Sequence, residues 1–224
     1  MKVKICGLRT EEDVDNAIYA GADALGFLVG QLHTSSDFIL PSTARRFAAR
    51  LPVFVTPVLV THLTDPQEII ELIECTDITT VQLHGGTTPE ELALLKEHAG
   101  SDIKFITAIH IVDREGPTPI PGPYCPYTDA FLLDSFNAAE GRVGGTGRTH
   151  DWNISAQLVQ ESPRPVILAG GLSPENIEEA VRTVRPYGVD ANSRLKTPEG
   201  ALDKNRAKAF VSLAKSVVLP VADK

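Results

Sequence analysis

Several kinds of protein are excluded by what this sequence of 224 residues lacks. Cysteines are few: Cys6, Cys75 and Cys125 make an odd count without C-x-x-C spacing. Neither a disulfide framework nor a zinc cluster is indicated, and a reducing compartment is expected. The longest uncharged apolar runs, such as Pro52 to Val60, fall far short of the ~20 residues that cross a bilayer, so no membrane span is expected. Met1-Lys2-Val3-Lys4-Ile5-Cys6-Gly7 reads as a strand entering a turn, with no apolar leader and no small-residue cleavage site, which implies a cytoplasmic protein. Basic residues are in deficit, 21 against 29 acidic, giving a net charge of -8. Such a surface repels a polyphosphate backbone and argues against nucleic acid as a partner. What remains is an ordinary globular composition, 42% hydrophobic and 22% charged, which excludes disorder, coiled coil and collagen.

Within that composition, apolar runs of strand length alternate with amphipathic segments, the pattern of repeated βα units around a parallel sheet. Eight strands are predicted, at about residues 2–6, 23–29, 53–60, 79–83, 103–109, 129–134, 165–169 and 187–191. Helix starts are marked by Thr10 with Asp13, Asp65-Pro66, Thr88-Pro89-Glu90 and Ser173-Pro174-Glu175, all oxygen caps and three of them followed by Pro at the first helical position. After the seventh strand, Ile177, Ala180, Val181 and Val184 form one apolar stripe. One connection breaks the pattern: Pro117, Pro119, Pro121, Pro123 and Pro126 remove amide donors, so irregular chain is expected to replace the fifth helix. The stretch from Ser135 to Asp151, containing Gly144-Gly145-Thr146-Gly147-Arg148, reads as a second irregular loop. Residues 57–66 match 165–174 without a gap, an offset of about half the chain, as in a barrel of two similar halves. The fold expected is therefore a (β/α)8 barrel spanning residues 1–224 as one domain. An open doubly wound sheet fits less well, because no G-x-G-x-x-G follows the first strand.

In such a barrel the chemistry belongs at the C-terminal strand ends, where Cys6, Gln82, His84, His110, Asp134, Gly170-Gly171, Asp190 and Asn192-Ser193 fall. Each has an ordinary structural reading: a buried small side chain for the cysteine, a turn cap for an aspartate, packing for the histidines. Their convergence on one rim points instead to a site. Gly170-Gly171 before a helix, with Asn192-Ser193 at the eighth strand end and the glycine-rich stretch after the sixth, indicates an anion site built from backbone amides.

Taken in order, Lys4-Ile5-Cys6-Gly7, Gly21-Ala22-Asp23-Ala24-Leu25-Gly26-Phe27, Val81-Gln82-Leu83-His84-Gly85, Leu132-Leu133-Asp134, Gly144 to Trp152 and Leu168 to Asn176 resemble the phosphoribosylanthranilate isomerase family of tryptophan biosynthesis. The likeness covers nearly the whole chain. It implies a (β/α)8 barrel that carries out an Amadori rearrangement of a phosphoribosyl aminoaldose, without metal or organic cofactor. Carried over by position, Cys6 matches the family's general base and Asp134 its general acid. Gln82, His84 and Asp190 match positions lining the same pocket, and Gly170, Gly171, Asn192, Ser193 and Arg194 surround the expected phosphate.

The chain also departs from the family at three places. The family's arginine for the anthranilate carboxylate aligns with Asp37, in a loop two residues longer, so acid stands where base is expected in the substrate-binding set. Arg194 replaces a glycine beside the phosphate, and Thr107 stands where a lysine is common. If Asp37 faces the pocket it would repel a carboxylate and redirect the enzyme to another aglycone, unless Arg9, Arg148 or Arg194 supplies the missing cation; the alternative is that Asp37 caps the turn before Phe38. The expected partner is a small phosphosugar. Alternatives are the same scaffold acting on a different phosphosugar, or a non-catalytic phospholigand-binding barrel, which would need neither Cys6 nor Asp134. The oligomeric state is left open by the sequence.

Overall fold

The structure is a computed structural model that describes residues 1–32, 35–111, 121–137, 142–143 and 150–218. Eight parallel strands form a closed ring: β1 (Lys2–Ile5), β2 (Ala24–Leu28), β3 (Thr56–Thr61), β4 (Thr80–Leu83), β5 (Lys104–Ile111), β6 (Ala130–Asn137), β8 (Val166–Leu168) and β9 (Gly188–Ala191). Pairing of β1 with β9 and of β5 with β6 closes it. A ninth described strand, β7 (Arg142–Val143), pairs antiparallel with the end of β6, inside the stretch expected to be irregular. Among the described residues seven helices pack outside: α1 (Glu11–Ala20), α2 (Pro41–Ala48), α3 (Pro66–Thr76), α4 (Pro89–His98), α5 (Trp152–Glu161), α6 (Ile177–Val184) and α7 (Lys204–Ser216). This is the (β/α)8 barrel. In the described part of the proline-rich connection there is one short 3-10 turn, Gly122–Tyr124, in place of a helix. Residues 112–120 lie outside the described set.

Local chemistry explains where these helices begin. Thr10 and Asp13 form a reciprocal capping box on α1, and Thr88 and Glu91 do the same on α4. Asp65 caps α3 by accepting from the Glu68 amide. The expected start at Ser173-Pro174 is displaced: α6 begins at Ile177, and Asn176 folds its side chain back into the preceding loop. The third strand also starts later than expected, at Thr56. A turn closed by the Val55 amide on Pro52 O precedes it and leaves Val53 and Phe54 each 93% exposed, so their apolar character did not signal burial.

Strand alternation divides the core in two. Val3, Ile5, Leu25, Phe27, Leu59, Val81 and Phe105 face outward onto α1, α2 and the other helices. Leu28, Val58, Val60, Ile106, Ala108, Leu132 and Ala169 fill the barrel interior together with Cys6. Thus Lys4 and Cys6, which flank the outward Ile5, belong to the interior face, and Cys6 lies where β1 ends and the site begins.

Candidate active site

Three strand ends bring a carboxylate and two imidazoles together. The β5–β6 register sets His110 opposite Asp134, and His84 follows β4. Gln82 Nε2 and His84 Nδ1 are hydrogen-bonded at 3.1 Å, which turns His84 Nε2 towards Asp134 Oδ2, 3.4 Å away. The Ser135 amide donates to the other carboxylate oxygen at 2.8 Å. Burial works against the Asp134 charge, yet His84, His110 and the Ser135 amide outweigh it and hold the carboxyl below its usual range. Burial, reinforced by His84, pushes His110 down to about 4 and leaves it neutral, with Nε2 donating to His84 O at 3.2 Å. His62, which the sequence reading passed over, stacks edge-on against His84, ring centroids 5.1 Å apart. Ligand atoms of His84, His110 and Asp134 lie within 4.8 Å of one another, the spacing a divalent ion could use, and the hydrogen bonds above account for that proximity.

Across the mouth stands Cys6. Its thiol is buried, and burial pushes it up to about 11 against the pull of Lys4, with Asp190 adding to the rise and Lys196 opposing it. Lys4 Nζ lies 2.7 Å from Asp190 Oδ2, and this buried pair was absent from the sequence reading except for Asp190 itself. The signal for it was a lysine set between Val3 and Ile5 on the same strand face as Cys6.

Cys6, Gln82, His84, Asp134 and Asp190 line one cavity, together with Gly170, Gly171, Asn192, Ser193 and Arg194. Two braces fix the loops that carry the last five. Asn176 accepts from the Ser173 amide and donates to Gly171 O, at 2.9 and 3.0 Å. Arg206 makes a bidentate pair with Glu175, at 2.8 and 2.9 Å, and donates from Nε to Arg194 O, tying the β8 loop to the β9 loop. That Arg206 pairing is the main reason the exposed Glu175 carboxyl is lowered to about 2. Gly170 has φ 85°, and a Cβ there would lie 2.7 Å from Ser135 Oγ and 3.0 Å from Asp134 Oδ1, so only glycine lets the β8 loop pass this close to the acid.

Asp37 also lines the cavity, but its charge is met within the protein. Lys196 donates to Oδ1 and Asn192 Nδ2 to Oδ2 at 2.9 Å, while Lys196 also donates to Gly7 O at 2.9 Å. The bare acid expected from sequence is therefore half of an ion pair that fastens the β2 loop to the β9 loop beside Cys6. Of the cations considered for a substrate carboxylate, Arg9 turns to the backbone of Ser36 and Glu199, Arg194 lines the cavity, and Arg148 lies outside the described residues. Thr107 is buried and donates to Thr128 Oγ1 at 2.9 Å.

A parallel barrel with a thiol, a carboxylate and two histidines on one rim, beside two loops at the ends of neighbouring strands, has the groups that acid-base chemistry on a small molecule uses. Residues 3–213 match the family model of N-(5'-phosphoribosyl)anthranilate (PRA) isomerase. The chain is 44% identical over 218 residues to N-(5'-phosphoribosyl)anthranilate isomerase 2 of Methanosarcina mazei, covering 96% of this chain and 95% of that one. The crystal structure of phosphoribosyl anthranilate isomerase from Thermotoga maritima superposes with TM-score 0.82 at 32% identity, covering 97% of this chain and 100% of that one. A phosphoribosyl anthranilate isomerase in complex with reduced 1-(o-carboxyphenylamino)-1-deoxyribulose 5-phosphate superposes with TM-score 0.76 at 30% identity, covering 97% and 100%. The chain belongs to the N-(5'-phosphoribosyl)anthranilate isomerase family and is an enzyme of the aldose-ketose isomerase type.

Proposed function

We propose that this protein converts N-(5'-phosphoribosyl)anthranilate to 1-(o-carboxyphenylamino)-1-deoxyribulose 5-phosphate by acid-base catalysis, with Cys6 as base and Asp134 as acid. The observation that carries the reading is that both residues line one cavity, with Gly170-Gly171 and Asn192-Ser193 in the same lining. The phosphate binds to amides of Gly171, Ser193 and Arg194, which holds the sugar in register between acid and base. Asp134 gives a proton to the ring oxygen and the furanose opens to an iminium at C1. Cys6 then removes the C2 proton, the C2–H electron pair forms the enolamine, and tautomerisation gives the ketose. Gln82 and His84 keep Asp134 oriented. These steps ask for proton transfers alone, so no cofactor enters the scheme. All three cysteines are free, which suits a thiol base working in the cytoplasm. Among the described residues no helix is long and apolar enough to cross a membrane.

The reading is tested by growth of a tryptophan auxotroph lacking the isomerase, with and without this chain, and by loss of substrate fluorescence in a steady-state assay. Failure of both would remove the assignment. A second check follows from the phosphate loops. Inorganic phosphate at millimolar concentration is expected to shift the amides of Gly171, Ser193 and Arg194 in an NMR titration. No response there would defeat the phosphate site.

The ionisation of the two groups fixes a pH dependence. The active form needs Asp134 protonated and Cys6 as thiolate, the minor state of each at neutral pH. Between the two pKa values the protonated acid becomes scarcer as pH rises, by the same factor by which the thiolate becomes more abundant. Their product is therefore constant. A plot of kcat/KM against pH is expected to be flat from the Asp134 limb, below the ordinary carboxylate range, towards the Cys6 limb at about 11. It should fall on either side. A narrow bell centred near neutrality would contradict these assignments.

A further inference from the structure

The barrel interior holds a charged pair where packing alone favours hydrocarbon. Lys4 is 4% exposed and sits opposite Asp190 in the β1–β9 register, among the inward Ala24, Val58 and Ile106. A buried pair loses much of its attraction to desolvation, and hydrophobic residues of similar size often serve a core as well or better. The space it occupies is made by an absent side chain. A Cβ on Gly26 of β2 would lie 2.6 Å from Cys6 Sγ and 3.1 Å from Lys4 Nζ, so thiol and ammonium share the gap over that glycine. Lys4 Nζ donates to the Asp190 carboxylate at 2.7 Å, and the Cys6 thiol stands beside the same ammonium over Gly26.

We infer that Lys4 is a positioning residue for the reaction: its ammonium, held in place by Asp190, is the fixed counter-ion of the Cys6 thiolate and sets the fraction of enzyme in which the base is charged. This rests on Cys6 being the base in the function proposed above. A thiol takes a proton from carbon only as thiolate. The charged groups facing it are Lys4 on its own strand, Asp190 on β9 and Lys196 beyond β9. Burial and Asp190 oppose the thiolate, and the two lysines favour it. Burial likewise opposes the charge on Lys4, but Asp190 and Cys6 outweigh it and keep the ammonium protonated. When Cys6 accepts the C2 proton it becomes a neutral thiol, the C2–H electrons enter the enolamine, and Lys4 keeps its own proton throughout.

The test reads the thiolate without substrate. Cys6 is alkylated with iodoacetamide at about pH 8 and followed by mass spectrometry of its peptide, since Cys75 and Cys125 are also free. Lys4→Met with Asp190→Asn removes both charges together and leaves no lone buried ion. Alkylation of Cys6 in this double variant is expected to slow at least tenfold, the effect of raising the thiol pKa by one unit. kcat should fall by a similar factor, and Lys4→Arg, which keeps a cation there, should be alkylated faster than the double variant. Asp190→Asn alone should change alkylation in the opposite direction and speed it, because a charge that repels the thiolate is lost while Lys4 remains. If the double variant does not fold, this opposite sign carries the test. Wild-type alkylation rates in the folded double variant, or slower alkylation in Asp190→Asn, would overturn the role given to Lys4. If alkylation responds as expected while the wild-type protein isomerises nothing, the counter-ion stands and the proposed reaction falls.

Discussion

Replacing Cys6 by Ala, or Asp134 by Asn, is expected to lower kcat by about 10² to 10⁴, the usual contribution of a positioned acid or base. Each acts on a proton in flight, so its removal weakens the transition state and leaves ground-state binding nearly intact. Phosphate affinity should therefore change little, because the loops that carry Gly171 and Ser193 are braced by Asn176 and by the Glu175–Arg206 pair, not by Cys6 or Asp134. Asp134→Asn is the informative form of the second change. It keeps the shape that accepts the Ser135 amide and faces His84, and removes only the capacity to donate and recover a proton. The two losses should also be far from additive in a double variant, since acid and base serve one sequence of steps. Near wild-type turnover in either single variant would take that residue out of the mechanism.

The second large effect is expected at Asp37, with a sign opposite to the one the sequence suggests. Read by alignment, Asp37→Arg restores a missing guanidinium and should improve binding of an anthranilate carboxylate. In the folded protein it would set a guanidinium against Lys196 and remove the acceptor of Asn192 Nδ2. Side-chain exposure of the Lys196–Asp37 pair is only 8% and 15%, so the orphaned lysine cannot simply turn into water. Breaking such a pair from one side costs about 3 kcal/mol, or a fall in Tm of roughly 6 to 12 °C for a chain of this size. Activity should drop as well, because Lys196 also holds Gly7 O next to Cys6. The exchange Asp37→Lys with Lys196→Asp should recover most of the stability that Asp37→Arg loses. Thermal unfolding and steady-state kinetics on the three proteins check this. An Asp37→Arg protein as stable as the wild type, with a lower KM for phosphoribosylanthranilate, would show that the ion pair does not hold these loops.

Alternation of apolar runs and capped amphipathic segments was enough to count the eight barrel strands, because strand and helix periods and N-cap chemistry are local properties of the chain. The same locality placed Cys6, Gln82, His84, Asp134 and Asp190 on one rim, since in a barrel every strand's C-terminal end faces the same way. It misled at Val53 and Phe54, where apolar residues sit in an exposed turn, and at Ser173, where the cap belongs to Asn176. Which side chains meet was decided elsewhere. The Lys4–Asp190 pair joins positions 186 residues apart and Lys196–Asp37 positions 159 apart, and both depend on barrel closure between β1 and β9 and on how the β2 and β9 loops lean over it. A sequence can show that a strand carries a lysine beside a cysteine, or that a loop carries an acid where a base is usual. Whether that charge faces a ligand, a counter-ion or water depends on the distances and solvation that closure imposes, and these determine how strongly the thiol holds its proton and whether Asp37 repels a carboxylate.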